Sequence, residues 1–101
     1  MFGTADDTAT GVRLDSRAFG QEFSVLLDGF RHYLRDRGLP VTAPRERVAE
    51  VLFTAPGHLS ADDIERTLRE RGAHVGKATV YRTLELLAES GMVVPRDFGE
   101  G

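Results

Sequence analysis

The 101-residue sequence contains no cysteine and no apolar run near the ~20 residues that a membrane-spanning helix needs. Without cysteine, a chain can form neither a disulfide framework nor a thiolate metal site. The first ten residues, MFGTADDTAT, lack the positive and apolar segments of a secretory signal. Apolar residues make up 41% and charged residues 29%, which excludes a disordered chain. The sequence therefore predicts one soluble, cytoplasmic domain, too short for a two-domain enzyme.

Catalytic patterns are missing as well. The sequence shows no activated nucleophile, no paired carboxylates and no glycine loop of the kind that cradles phosphates. The three histidines, His32, His58 and His74, lack the i, i+4 spacing that would place two metal ligands on one helix face. We therefore expect that this protein is not an enzyme.

The charge of the chain is unevenly distributed. The net charge is −3, and residues 1–30 account for it with two arginines against five carboxylates. The remaining eleven basic and eleven acidic groups cancel over residues 31–101. A basic face for nucleic acid can therefore arise only if the fold sorts those cations onto one side.

Apolar residues at spacings of three and four predict a first helix over residues 23–37, with Gly38 directly after it. Thr42 precedes a second helix that runs to about residue 54, since Pro44 suits a first helical turn. Ser60 and Asp63 approximate a capping box for a third helix over about residues 61–71.

A fourth helix is predicted over residues 77–90, ended by Gly91. Its buried stripe is expected to consist of Val80, Leu84, Leu87 and Ala88. A β-favouring run follows at residues 92–98, and Pro95 within it fits only an edge strand. We expect this strand to have no partner within the chain.

The order of these elements predicts a mainly α fold, a winged helix-turn-helix of about four helices followed by an incomplete β-wing. Residues 21–101 would form this domain. Residues 1–20 mix Gly, Thr, Ala and Asp with isolated apolar residues, which indicates a flexible N-terminal arm.

The solvent face of the fourth helix carries groups suited to a DNA major groove. Arg82 can reach a guanine edge or a phosphate, and Tyr81 can lie on thymine methyl groups. Thr79 can donate to a phosphate near the helix N-terminus, and Ala78 is small enough for close approach. The alternative is that Tyr81 is a packing residue and Arg82 a solvated charge, and periodicity alone does not separate the two.

Four segments together resemble one known family: GLPVTAPRERVAEVL, GHLSADDI, VGKATVYRTLELLAESGMV and RDFGEG. They are similar to the N-terminal DNA-binding domain of the ferric uptake regulator family of bacterial metalloregulators. The resemblance implies a metal-responsive transcriptional repressor whose ATVYR helix enters the major groove of double-stranded DNA. It implies DNA contacts by Arg45, Lys77, Ala78, Thr79, Tyr81 and Arg82.

The resemblance also implies parts that this sequence does not contain. Family members continue into a dimerisation domain, so a homodimer is expected only with that missing half. Of the regulatory metal ligands only one has a match, His58, and it is an insufficient ligand here. We expect no cofactor in this chain and a divalent metal, iron, zinc, manganese or nickel, in a full-length relative. Pro40 stands where family members often have a basic residue that reaches the minor groove.

A winged-helix module that binds a protein partner instead of DNA is the alternative function. For DNA, a continuous positive stripe should run through Arg45, Arg47, Lys77 and Arg82. For a protein partner, Glu46 and Glu85 should interrupt that stripe beside an apolar patch.

Overall fold

Five helices and two short strands make up the computed structural model, which describes residues 11–55 and 57–95. In chain order they are β1 (Val12–Leu14), α1 (Ser16–Phe19), α2 (Phe23–Asp36), α3 (Ala43–Thr54), α4 (Ala61–Glu70), α5 (Lys77–Glu89) and β2 (Val93–Pro95). The mainly α fold class is confirmed, and the four longer helices lie within a residue of their predicted ends.

Local sequence signals explain where the helices begin and end. The Thr42 side chain accepts a hydrogen bond from the Arg45 backbone N–H, at 3.3 Å, at the start of α3. The predicted capping box of α4 is present, with Ser60 and Asp63 each accepting from the other's backbone N–H at 3.0 Å. Gly38 has a φ of +69° after α2, a conformation that glycine adopts at little cost.

The core lies around α3, which packs against α2, α4 and α5. Phe30 and Leu34 of α2 and Val48 of α3 are fully buried, as is Ile64 of α4. Burial of such side chains is the main favourable contribution to folding. Because α3 is enclosed by three helices, its buried residues do not form a single narrow stripe: Val48, Ala49, Val51, Leu52 and Phe53.

Helix α5 buries the predicted residues Val80, Leu84 and Leu87, and Ala88 is half-buried. Thr83 and Leu86 are also buried, and the predicted stripe did not include them. The opposite side of α5 remains in solvent, which leaves the helix free to meet a partner.

The two strands correct two of the predictions. Strand β2 pairs antiparallel with β1, with Leu14 opposite Val93, so the expectation of a strand without a partner is wrong. Val12 also exchanges two backbone hydrogen bonds with Leu59, at 2.8 and 2.9 Å. Backbone pairing and burial of Val12 and Leu14 hold this segment against the helices.

The prediction of a flexible N-terminal arm is therefore wrong for residues 12–19, which contain β1 and α1. Val12 and Leu14 point inward and Arg13 outward, a period-two alternation too short to stand out in a sequence. Residues 1–10 of the arm and residues 96–98 of the predicted strand lie outside the described residues. Within the described ranges, none of the helices is long and apolar enough to cross a membrane.

Candidate nucleic-acid interface

Helix α5 presents a narrow exposed crest. Ala78, Arg82 and Glu85 are exposed, and they lie within about 60° of one another on a helix that turns 100° per residue. Thr79 lies on one flank of this crest, and Lys77 and Tyr81 lie on the other. Helix α5, which the sequence predicted as the fourth helix, therefore has the expected solvent face.

A surface groove lies between the first turn of α3 and the first two turns of α5. Its volume is about 480 Å³. Its lining includes four of the predicted DNA-binding residues, Arg45, Ala78, Thr79 and Arg82, together with Pro40, Thr42, Pro44 and Thr83. We call it the Arg45–Arg82 groove. It places two guanidinium groups on opposite helices beside the crest of α5.

Two side chains that line this groove donate hydrogen bonds to backbone carbonyl oxygens. The Arg45 guanidinium donates from Nη1 to the Pro40 carbonyl oxygen at 2.8 Å, which ties the end of this side chain to the segment before α3. Thr83 is fully buried, and its Oγ1 donates to the Thr79 carbonyl oxygen at 2.7 Å. The hydrogen bond of the Thr83 hydroxyl is therefore made within its own helix, and the role of Thr83 is structural.

Lys77 and Tyr81 do not line this groove. The Lys77 ammonium lies 3.2 Å from Asp62 Oδ1 and 4.0 Å from Glu65 Oε1, both on α4. Tyr81 is half-buried and packs against the hydrophobic core. Both lie on the α4 side of the crest, on the flank of α5 opposite Thr79 and the groove that Arg45 of α3 lines.

The Arg82 guanidinium lies close to a carboxylate. Its Nη1 is 3.2 Å from Glu85 Oε1, one turn further along α5, and both side chains are more than half exposed. On its other side Arg82 borders a second depression of about 360 Å³ that Arg37 and Glu89 also line. Arg37 lies over the Tyr33 ring, 5.2 Å from its centroid, and 3.5 Å from Glu89.

The alternative function named two carboxylates that would interrupt the positive stripe, and Glu85 does lie exposed on the crest beside Arg82, whereas Glu46 faces α2. The Glu46 carboxylate forms two hydrogen bonds with the Arg31 guanidinium on α2. These hydrogen bonds lower the pKa of Glu46 below its ordinary value, against the opposing effect of partial burial. Glu46 is thus neutralised on the α2 side of α3.

His58 precedes α4 and is exposed. Nowhere in residues 11–55 and 57–95 do three or more His, Cys, Asp or Glu side chains come together in a group that could hold a metal ion. One imidazole does not fill the coordination shell of a divalent metal. The described residues therefore do not form a complete metal centre by themselves.

A helical domain whose last helix exposes one face with basic side chains on it and on both sides of it is typical of nucleic-acid-binding proteins. Sequence comparison identifies the family. Residues 36–101 match the model of the ferric uptake regulator family. The chain belongs to this family.

Proteins named ferric uptake regulation protein are among its relatives. The protein of Pseudomonas aeruginosa is 44% identical over 69 residues, which are 67% of this chain and 52% of that protein. The Campylobacter jejuni protein is 39% identical over 80 residues, 77% of this chain and 51% of that protein. The Bacillus subtilis protein is 38% identical over 76 residues, 74% of this chain and 51% of that protein. The chain thus spans about half the length of the curated relatives it matches.

Proposed function

We propose that this chain is the DNA-binding unit of a metal-responsive transcriptional regulator of the ferric uptake regulator family, and that it does not act as an enzyme. The observation that carries the proposal is the Arg45–Arg82 groove beside the exposed crest of α5. Membership of the family and the names of its relatives support the regulatory role.

The dimensions of α5 suit a major groove. An α-helix with its side chains is about 10–12 Å across, and the major groove of B-DNA is about 12 Å wide. With the crest directed at base edges, Ala78 allows close approach and Arg82 reaches guanine O6 and N7 or a phosphate. The half-buried Tyr81 offers one edge of its ring to thymine methyl groups from the α4 flank.

The two flanks of the crest would face the two DNA strands. Arg45 and Thr79 line the groove on one flank, where a phosphate can accept from the guanidinium and the hydroxyl. Lys77 lies on the opposite flank, where a phosphate would compete with Asp62 and Glu65 for its ammonium group. Arg82 would likewise leave its ion pair with Glu85 to bind DNA. Both side chains are exposed, so the free energy needed to break this pair is small.

The regulatory role would need parts beyond these residues. We propose that His58 supplies one ligand to a metal site completed by residues outside this chain, and that dimerisation depends on the half of the relatives that the match does not cover. A dimer would place two copies of α5 on two half-sites of an operator.

The alternative, a module for a protein partner, drew on the neutral charge of residues 31–101, on the acidic N-terminal residues and on the expectation of a strand without a partner. The last of these grounds is lost, because β2 pairs with β1. The exposed apolar side chains Phe23 and Val25 lie on α2, outside the Arg45–Arg82 groove. We therefore favour DNA as the partner.

Two substitutions test the proposal, read against a duplex selected from a random library and a scrambled duplex. Tyr81→Ala should cost about 1–3 kcal/mol on the selected duplex and little on the scrambled one, since only base contacts carry specificity. Arg45→Ala should weaken both duplexes alike and lower the salt slope by about one unit. Arg69→Ala is the matched control, because Arg69 is exposed on α4 and does not line the groove.

The pattern of losses decides the roles. If Tyr81→Ala weakens both duplexes equally, Tyr81 does not read bases. If Arg45→Ala changes the base preference, Arg45 is not a phosphate contact. Failure of the unsubstituted protein to bind either duplex would refute DNA binding itself.

A further inference from the structure

A second groove lies on the other side of the first turn of α3. Its volume is about 310 Å³, and it runs between that turn and the connection from α4 to α5. Its lining consists of Ala43, Pro44, Arg47, Arg71, Gly72, Ala73, His74 and Val75. We call it the Arg47–Arg71 groove. It contains two guanidinium groups and an imidazole, and none of the described residues that line it carries a carboxylate.

These two cations differ from most others in the fold. Arg31, Arg66 and Lys77 each face a carboxylate at an ion-pair distance. Arg47 and Arg71 are exposed and form no ion pair with any other residue in the described part of the chain. Their positive charges are therefore uncompensated locally, which favours an anionic ligand.

The two grooves adjoin at Pro44, which lines both of them. Arg45 and Arg82 line the first groove, and Arg47 and Arg71 line the second. The ion pairs of Lys77 with α4 lie on the opposite flank of α5 from the first groove. A ligand that occupies both grooves must therefore be extended, and their arginines favour an anion.

We propose that the Arg47–Arg71 groove binds the phosphate backbone of DNA beyond the segment contacted by α5, with Arg47 and Arg71 each neutralising a phosphate. This inference rests on the proposed function and extends its footprint. A DNA backbone suits an open groove with exposed guanidinium groups, since release of condensed counterions drives such contacts. A free phosphate gains nothing from that release and would need enclosing donors.

The test compares double variants that lose the same charge. Arg47→Gln with Arg71→Gln removes the cations of the groove. Arg13→Gln with Arg69→Gln removes two exposed arginines that do not line it. Arg47→Lys with Arg71→Lys keeps the charge, and it controls for loss of side-chain bulk.

The measurement is binding of each variant to a short random-sequence duplex over a series of KCl concentrations. Each phosphate contact contributes about 0.9 to the slope of log Kobs against log salt, so the groove variant should be shallower by about two units. The lysine variant should keep nearly the slope of the unsubstituted protein, and the remote variant should lose less than about half a unit. Equal slopes for the groove and remote variants would overturn the proposal.

Two further results separate this inference from the proposed function. If Arg82→Ala abolishes preference for a selected duplex while the groove variant keeps the full salt slope, only the Arg47–Arg71 assignment fails. If calorimetry with inorganic phosphate shows saturable micromolar binding that the groove variant loses, the site holds a free anion and the DNA assignment is overturned. Absence of DNA binding by the unsubstituted protein would refute both.

Discussion

Leu14→Ala tests whether the segment before the first long helix is part of the folded core. In the structure Leu14 is only 9% exposed, lies opposite Val93 in the two-stranded sheet and belongs to the hydrophobic core. A flexible arm would tolerate this substitution without loss. A paired strand packed against α3 would not.

The expected loss follows from the carbons removed. Leucine to alanine deletes three carbons at about 0.8 kcal/mol each, which gives about 2.4 kcal/mol for the transfer of the side chain from water. Buried leucines often lose more because a cavity remains. Leu14, however, already borders a surface depression of about 340 Å³, so water can enter the space and the cavity contribution is small. We expect a loss of about 2–3 kcal/mol in the free energy of unfolding.

Urea denaturation followed by circular dichroism measures this loss. The control is Arg13→Ala, since Arg13 is on the same strand but exposed, and its loss should be within about 0.5 kcal/mol. In thermal melts each kcal/mol should lower Tm by about 4 °C or more at this chain length. A loss below about 0.5 kcal/mol for Leu14→Ala, equal to the control, would show that β1 does not contribute to stability.

Three more substitutions probe the cap, an ion pair and the crest of α5. Ser60→Ala removes the cap of α4 and should cost about 1 kcal/mol in urea denaturation. Arg31→Gln should destabilise the protein at neutral pH and lose its effect in acid. The hydrogen bonds from Arg31 lower the pKa of Glu46, so the ionised pair stabilises the fold above the ordinary glutamate value of 4.5, and this stabilisation is lost as the pH falls through the lowered pKa. Stability measured from pH 7 down to about 3 checks this. Glu85→Gln releases Arg82 and should tighten binding to a random duplex by up to about fivefold, and an unchanged affinity would show that this ion pair does not compete with DNA.

The helices could be predicted from the sequence because their signals are local. Apolar spacing over ten or more residues identifies a buried face, and caps such as Ser60 with Asp63 mark the first turn. Gly38 and Gly91 mark two of the ends, and both have positive φ. Each of these signals lies within a few residues of the structure that it determines.

Strand β1 could not be predicted in the same way. It has three residues, and its partners are Leu59 and β2, far away in sequence. Its stability comes from backbone pairing with residues distant in sequence and from burial of Val12 and Leu14. Two apolar residues in an otherwise polar segment do not reveal that the fold supplies a place for them.

The candidate interface was predicted in part, for a related reason. Helical periodicity placed Ala78, Thr79 and Arg82 on the solvent side of α5, where the structure has them. Periodicity gives the direction of a side chain but not its neighbours. The carboxylates that hold Lys77 come from α4, and Arg47 and Arg71 line one groove because the first turn of α3 lies beside the connection from α4 to α5.

A chain with a net charge of −3 can still present a basic surface, because the fold decides which charges remain free. On α4, Asp62 and Glu65 engage Lys77, and at the back of α3, Glu46 engages Arg31. These pairs cancel at short range, so their fields fall off faster than those of single charges. What remains are the Arg45–Arg82 and Arg47–Arg71 grooves, which adjoin at Pro44, and among the described residues Glu85 is the carboxylate that pairs with one of their four arginines, Arg82. Net charge therefore measures the long-range field of this domain, whereas DNA within a Debye length of the surface would meet the unpaired arginines.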